Sequence, residues 1–238
     1  MSTSRPGSAA RVTAVLLVLG ALAYTAWALE AVVRTGLDPV RTYVSELAAT
    51  DQPLGGLFRA TDLTAGLLVL AAAATALLAT RRQPTDSGRP RPHARRLVLV
   101  GWFALALFGA ATAVDSRLPL SCAPTADPAC AAREASGLVP ITHTAHAASS
   151  GLAMAGALAA MIALTLAARR YRIWRPLSRT GAVLVALELA ATVWTLTAVA
   201  AFETGGATWA LGVGQRLQVL LVALWLAVLA VSVARERP

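Results

Sequence analysis

Lysine is absent from all 238 residues; each of the 21 basic residues is an arginine. The absence excludes a serine–lysine dyad, which needs a lysine amine as its base. With abundant alanine it reads as the codon bias of a GC-rich genome, not as a phosphate-binding device. Charge of either sign is scarce: 14% of residues are charged, 57% are hydrophobic and the mean hydropathy is +0.63. A soluble domain sits nearer a quarter charged and roughly half apolar. The apolar excess is gathered in long runs, so the chain reads as an integral membrane protein. The net charge of +9 would suggest a nucleic-acid partner in a soluble protein. Here it follows from basic residues gathering in cytoplasmic loops, and no nucleic acid is expected. No strong internal repeat is present.

Six candidate spans cover residues 12–33, 57–80, 97–116, 143–168, 181–202 and 209–233. Each approaches the ~20 residues that cross about 30 Å of hydrocarbon as a helix. The first run is too long for a signal-peptide core and lacks a clean cleavage site. The expectation is an all-α, six-transmembrane-helix bundle in which residues 1–238 form a single membrane domain. With the N-terminus inside, fifteen arginines fall on inner segments and six on outer ones. Both termini are therefore expected in the cytoplasm, with Trp174 and Trp209 as interfacial anchors. The only two cysteines, Cys122 and Cys130, then lie in one short exported loop, where a disulfide persists.

The first outer loop carries a helix-start signal, Asp38-Pro39. Val40, Tyr43, Val44 and Leu47 follow at one-face spacing. A short amphipathic helix on the outer membrane surface is expected there, with Ser45 and Glu46 on its other sides. The inner segment Arg81–Arg96 is rich in Pro and Arg and reads as irregular, with His93 a solvated loop residue.

Ionisable groups inside a bilayer cost roughly 2.5–3.5 kcal/mol each, so they face partners or water. Almost all of them here fall at the outer end, with the polar Gln215 beside them: Glu30, Glu46, Arg59, Asp62, Asp115, His143, His146, Glu203 and Arg216. Glu188 alone sits deeper and reads as a neutral or hydrogen-bonded acid between helices. An outward-facing polar pocket lined by Ser45, Glu46, Arg59, Asp62, Asp115, His143, His146 and Arg216 accounts for this one-sided distribution. Arg59 and Asp62, three apart, are expected to pair. His143, His146 and Ser150 share one helix face, continued by Met154. Asp115, His143 and His146 could hold Zn²⁺ with a water as fourth ligand, and Glu46 could serve as base. The histidine spacing is far less specific than a full His-Glu-x-x-His motif. A structural or ligand-contacting polar network is the favoured reading. Ser45 and Ser150 are ordinary polar residues unless a base stands beside them.

Tyr43-Val44-Ser45-Glu46-Leu47, the following Leu57-Phe58-Arg59, Asp115, His143 and Gly214-Gln215-Arg216 together resemble the bacterial membrane family known as domain of unknown function 998. The resemblance spans nearly the whole chain. It implies a six-helix protein of the bacterial plasma membrane and names no reaction. A more distant likeness is to the superfamily of alkaline ceramidases and adiponectin receptors, membrane hydrolases that place Ser, Asp and three His around zinc. Ser45, Asp115, His143 and His146 match in type, but no third histidine lies in a span.

The leading functional expectation is a non-enzymatic pocket for a lipid headgroup or small amphiphile, with Arg216 offering a fork of donors for a carboxylate or phosphate. The alternatives are a metal-assisted hydrolase acting on a lipid or acyl amide, and a proton-coupled carrier. The bilayer is the one partner the sequence names; the oligomeric state is not legible in it.

Overall fold

The structure, a computed structural model, describes residues 7–82 and 92–235. Among these the regular elements are all helical. They are α1 (Ser8–Tyr24), α2 (Gly55–Arg82), α3 (Pro92–Asp115), α4 (Pro128–Ala135), α5 (Ile141–Tyr171), α6 (Arg175–Gly205) and α7 (Leu211–Ala234), with two 3₁₀ segments, Ala26–Ala31 and Val44–Ala48. Six helices are long and apolar enough to cross a membrane, the first being α1 continued through Ala31. The six expected spans are thus present. Five of them start earlier than the apolar runs, because the flanking residues extend the helices. The Pro- and Arg-rich segment read as irregular lies largely outside the described residues, and α2 and α3 take up its two ends.

The spanning helices form a ring in chain order, α1–α2–α3–α5–α6–α7, closed by α1 against α7. Small residues set the closest approaches, as expected where packing rather than water drives association. A Cβ at Gly66 would lie 2.7 Å from the Gly109 carbonyl, and one at Gly156 would lie 2.8 Å from the Phe108 nitrogen. The backbone of α3 therefore touches both α2 and α5. The α5–α6 seam differs along its length. Near the arginine-rich end it is tight: a Cβ on Gly181 would meet Thr165 Oγ1 at 2.7 Å. Thr165 also accepts from Trp225 Nε1 at 3.2 Å. Toward the disulfide end the seam opens, and a Cβ on Gly151 would meet nothing within 4 Å. The apolar core, with Trp225, Leu164, Met161 and Leu177 fully buried, fills the arginine-rich half.

Two local expectations are corrected. Asp38 does cap its turn, accepting from the Val40 nitrogen at 2.9 Å, but no amphipathic α-helix follows. The chain makes turns and then the 3₁₀ segment Val44–Ala48, with Glu46 and Leu47 buried. It is tucked against the bundle. The reason is competition for backbone groups. The Val44 N–H donates to Gln215 Oε1 at 2.9 Å, and the Thr42 carbonyl accepts from Arg216 Nη1 at 2.9 Å. The first span is also not one α-helix: Thr25 Oγ1 donates to the carbonyls of Ala21 and Leu22. That local side-chain bonding competes with the helix ladder, and the chain tightens into 3₁₀ geometry.

Candidate functional site

The disulfide Cys122–Cys130 closes the loop between α3 and α5, with its Cα atoms 5.9 Å apart. Cys130 lies in the first turn of α4, whose N-terminus is capped by Asp127 with Pro128 at its first position. The short helix carries Glu134 over the head of α5. The first loop is pinned to the same place: the Thr50 nitrogen donates to the Leu120 carbonyl at 2.9 Å. Glu46, fully buried, accepts from the Thr125 nitrogen at 2.7 Å and from Thr125 Oγ1 at 2.5 Å. Burial pushes the Glu46 carboxyl up to about 7, against the pull of the two Thr125 bonds.

Beneath this cap is a cavity of about 500 Å³. Of the sequence-predicted residues, Ser45, Asp62, Asp115, His143 and His146 line it, whereas Glu46, Arg59 and Arg216 do not. Arg216 instead forks onto Glu30, with Nε 2.5 Å from Oε1 and Nη2 2.7 Å from Oε2, and both side chains are less than a tenth exposed. Arg59 donates to the Ala48 and Ala49 carbonyls. The expected Arg59–Asp62 pair is therefore corrected. Gly55 leaves room for the Ala49 carbonyl, which a Cβ there would meet at 2.1 Å. The guanidinium turns back to the loop while Asp62, one turn on, faces the cavity.

The two histidines play different parts. His143 is 1% exposed, and its Nδ1 accepts from the Ser121 N–H at 3.0 Å. That nitrogen must carry a lone pair, so in the neutral ring the proton sits on Nε2, 3.2 Å from Glu134 Oε1. His146 has the opposite tautomer. Its Nδ1 lies 3.1 Å from both Asp115 Oδ1 and the Leu118 carbonyl, which are acceptors. Nδ1 therefore carries hydrogen, and Nε2 lies 3.3 Å from Ser150 Oγ. Asp115 also accepts from Ser149 and, at 3.0 Å, from Ser150. Among the described residues no three His, Cys, Asp or Glu side chains gather as a metal-holding group. In this arrangement the Asp115–His143–His146 set is not assembled, because both His143 nitrogens are already engaged.

The sequence reading missed much of the wall. Tyr24, Trp27, Thr195 and Gln218 line the cavity, and nothing in the sequence separates them from ordinary span residues; Phe58, also in the wall, lies in the Leu57-Phe58-Arg59 stretch that carries the family resemblance. Glu134 had a signal, Asp127-Pro128 opening a capped helix inside the cysteine loop. Trp27 Nε1 and Thr195 Oγ1 are buried without a hydrogen-bond partner among the described residues. Glu188 is fully buried beside Gln218 and Thr192, yet neither reaches hydrogen-bond geometry with its carboxyl oxygens.

No curated protein matches the chain, and no solved structure does. One family model, described as "Protein of unknown function (DUF998)", matches residues 17–232. That is nearly the whole of the sequence, and the chain belongs to this family.

Proposed function

We propose that this multi-pass membrane protein binds a lipid headgroup or small amphiphile in the cavity beneath the disulfide cap. The observation that carries the reading is the make-up of that one cavity. Asp115, His146 and Ser150 form a polar cluster on one part of its wall, and Met154, Leu196 and Val219 form an apolar part. Its volume of about 500 Å³ falls within the 300–1,000 Å³ typical of ligand pockets. The arginine asymmetry supports placing the capped end outside and both termini inside, in a bacterial plasma membrane. The test is binding of an environment-sensitive alkyl dye to the purified protein, native and Gly151→Phe. Gly151 is in the wall and has open space beside it, so the ring obstructs the cavity at its lateral opening without disturbing packing. Saturable binding that the variant loses, at unchanged thermal midpoint, is expected. Equal dye binding by both proteins would contradict the reading.

A second reading rests on one specific contact, the base that now stands beside Ser150. Ser150 Oγ lies 3.3 Å from His146 Nε2, and His146 Nδ1 lies 3.1 Å from Asp115 Oδ1; to act as nucleophile, Ser150 would turn its hydrogen from Asp115 Oδ2, which accepts it at 3.0 Å, to Nε2. This is the connectivity of a nucleophile, a base and its orienting acid. In an acyl transfer, Oγ would bond to the carbonyl carbon and its proton would pass to Nε2 and on to the leaving group. Water would then release the acyl chain from Ser150. A fluorophosphonate adduct on Ser150, lost in His146→Ala, supports this hydrolase reading. An unmodified Ser150 in dye-binding protein leaves the binding reading alone.

A further inference from the structure

The cavity has the opposite charge character to the chain that encloses it. The chain carries a net +9, yet among the described residues no arginine lines the cavity. Its ionisable wall groups are Asp62, Asp115, Glu134, Glu203, His143 and His146, with two tyrosines. Even with both imidazoles protonated, the formal carboxylate charge is in excess. Three arginines at this end are held elsewhere: Arg216 on Glu30, Arg59 on the Ala48 and Ala49 carbonyls, and Arg133 beside Asp127 and Cys122. The donor fork expected to receive an anionic head is therefore not in the wall.

The acids themselves are unevenly satisfied. Asp115 accepts from Ser149 and Ser150 and pairs with His146, and Glu134 meets His143. Asp62 lines the cavity and has no hydrogen-bond or ion-pair partner among the described residues. A carboxylate partly withdrawn from water and with no counter-charge in contact with it is costly. A cation in the cavity supplies that charge. A further wall residue, Thr195, is 6% exposed and holds a hydroxyl oxygen with no partner. Tyr24, Trp27, Tyr43 and Phe58 add aromatic rings to the wall. Ring faces attract ammonium groups, more so when the pair is out of water.

The shape fits a tail as well as a head. On α6 the lining runs from Thr192 to Glu203, a rise of about 16 Å at helical geometry. Thr144, Ala147 and Gly151 of α5 and Leu196 of α6 are both cavity-lining and exposed. The cavity thus opens sideways through the wide end of the α5–α6 seam, between two helices apolar enough to span a membrane. We propose that this cavity selects a positively charged amphiphile. An amine or quaternary ammonium head sits near Asp62 and Asp115 among the aromatic rings, and the apolar chain leaves between α5 and α6. This rests on the amphiphile-binding reading and names its ligand class.

The test is competition for the bound alkyl dye by dodecyltrimethylammonium, dodecyl sulfate and dodecyl maltoside, with the full chain in a neutral detergent. The expected result is at least roughly tenfold stronger competition by the ammonium than by the sulfate. Asp62→Asn should bring that ratio down to about threefold or less. Arg117→Gln, an exposed charge outside the wall, should leave the ratio in place. If Asp62→Asn cannot be purified, Glu203→Gln on the exposed rim carries the same expectation. Equal competition by ammonium and sulfate would overturn the charge selection and leave amphiphile binding standing. Failure of all three to displace the dye would overturn both. Competition by dihexanoyl phosphatidylethanolamine assigns the occupant to a lipid headgroup amine; ammonium competition without it assigns a free cationic amphiphile.

Discussion

Single residues settle which charges are free to act. Arg216 and Glu30 lie 186 residues apart and meet as a buried fork. Removing one partner of a buried pair leaves an uncompensated charge and costs about 3–5 kcal/mol. Glu30→Ala should therefore lower the unfolding free energy by that order, and adding Arg216→Met should recover most of it. Equal stability of Glu30→Ala and native protein would contradict the pairing. Glu46 gives a pH signature. Its folded-state carboxyl sits at about 7 against an ordinary 4.5, so the folded chain keeps a proton that the unfolded chain releases. The Glu46 contribution to stability is then full below pH 4.5 and is lost as pH rises to about 7, on the order of 3 kcal/mol. Glu46→Gln keeps the Thr125 contact and should flatten that part of a thermal-midpoint profile against pH. The sequence marked Arg216 and Glu46 as unusual because charge near a membrane is costly. It could not say that their partners are in the protein, since pairing across such separations is a product of the fold.

At the scale of elements, the stretches that carry the family resemblance hold one another. Gln215 and Arg216 at the head of α7 grip the first loop at Val44 and Thr42, Arg59 grips Ala48 and Ala49, and Glu46 grips the cysteine loop at Thr125. The disulfide is the staple of this cap. Cys122→Ser with Cys130→Ser should cost about 2–3 kcal/mol by the loop-closure argument and raise amide exchange over residues 117–138 first. Unchanged exchange there would show that the loop is held without it. The span positions were legible because an apolar run of sufficient length has few alternatives. The first outer loop was misread because its helical spacing is real, while its backbone groups are claimed by α7. The turn of Thr25 toward its own helix carbonyls was equally hidden, as a threonine near a span end is common.

At the scale of the molecule, the ring of helices packs solidly in its arginine-rich half and opens in its capped half. The orientation proposed for it can be checked with single cysteines. Leu138→Cys lies in the capped end and Arg170→Cys at the other, both exposed, and the described chain has no free cysteine to confuse the readout. An impermeant maleimide applied to intact cells should label position 138 and not 170; the reverse would invert the protein. The central claim, a cavity that holds an amphiphile, is tested most directly by native mass spectrometry of the protein released from its own membrane. One bound amine-headed amphiphile per chain, absent from Gly151→Phe, is the predicted result. Bare native protein, or the same adduct on both proteins, would contradict it.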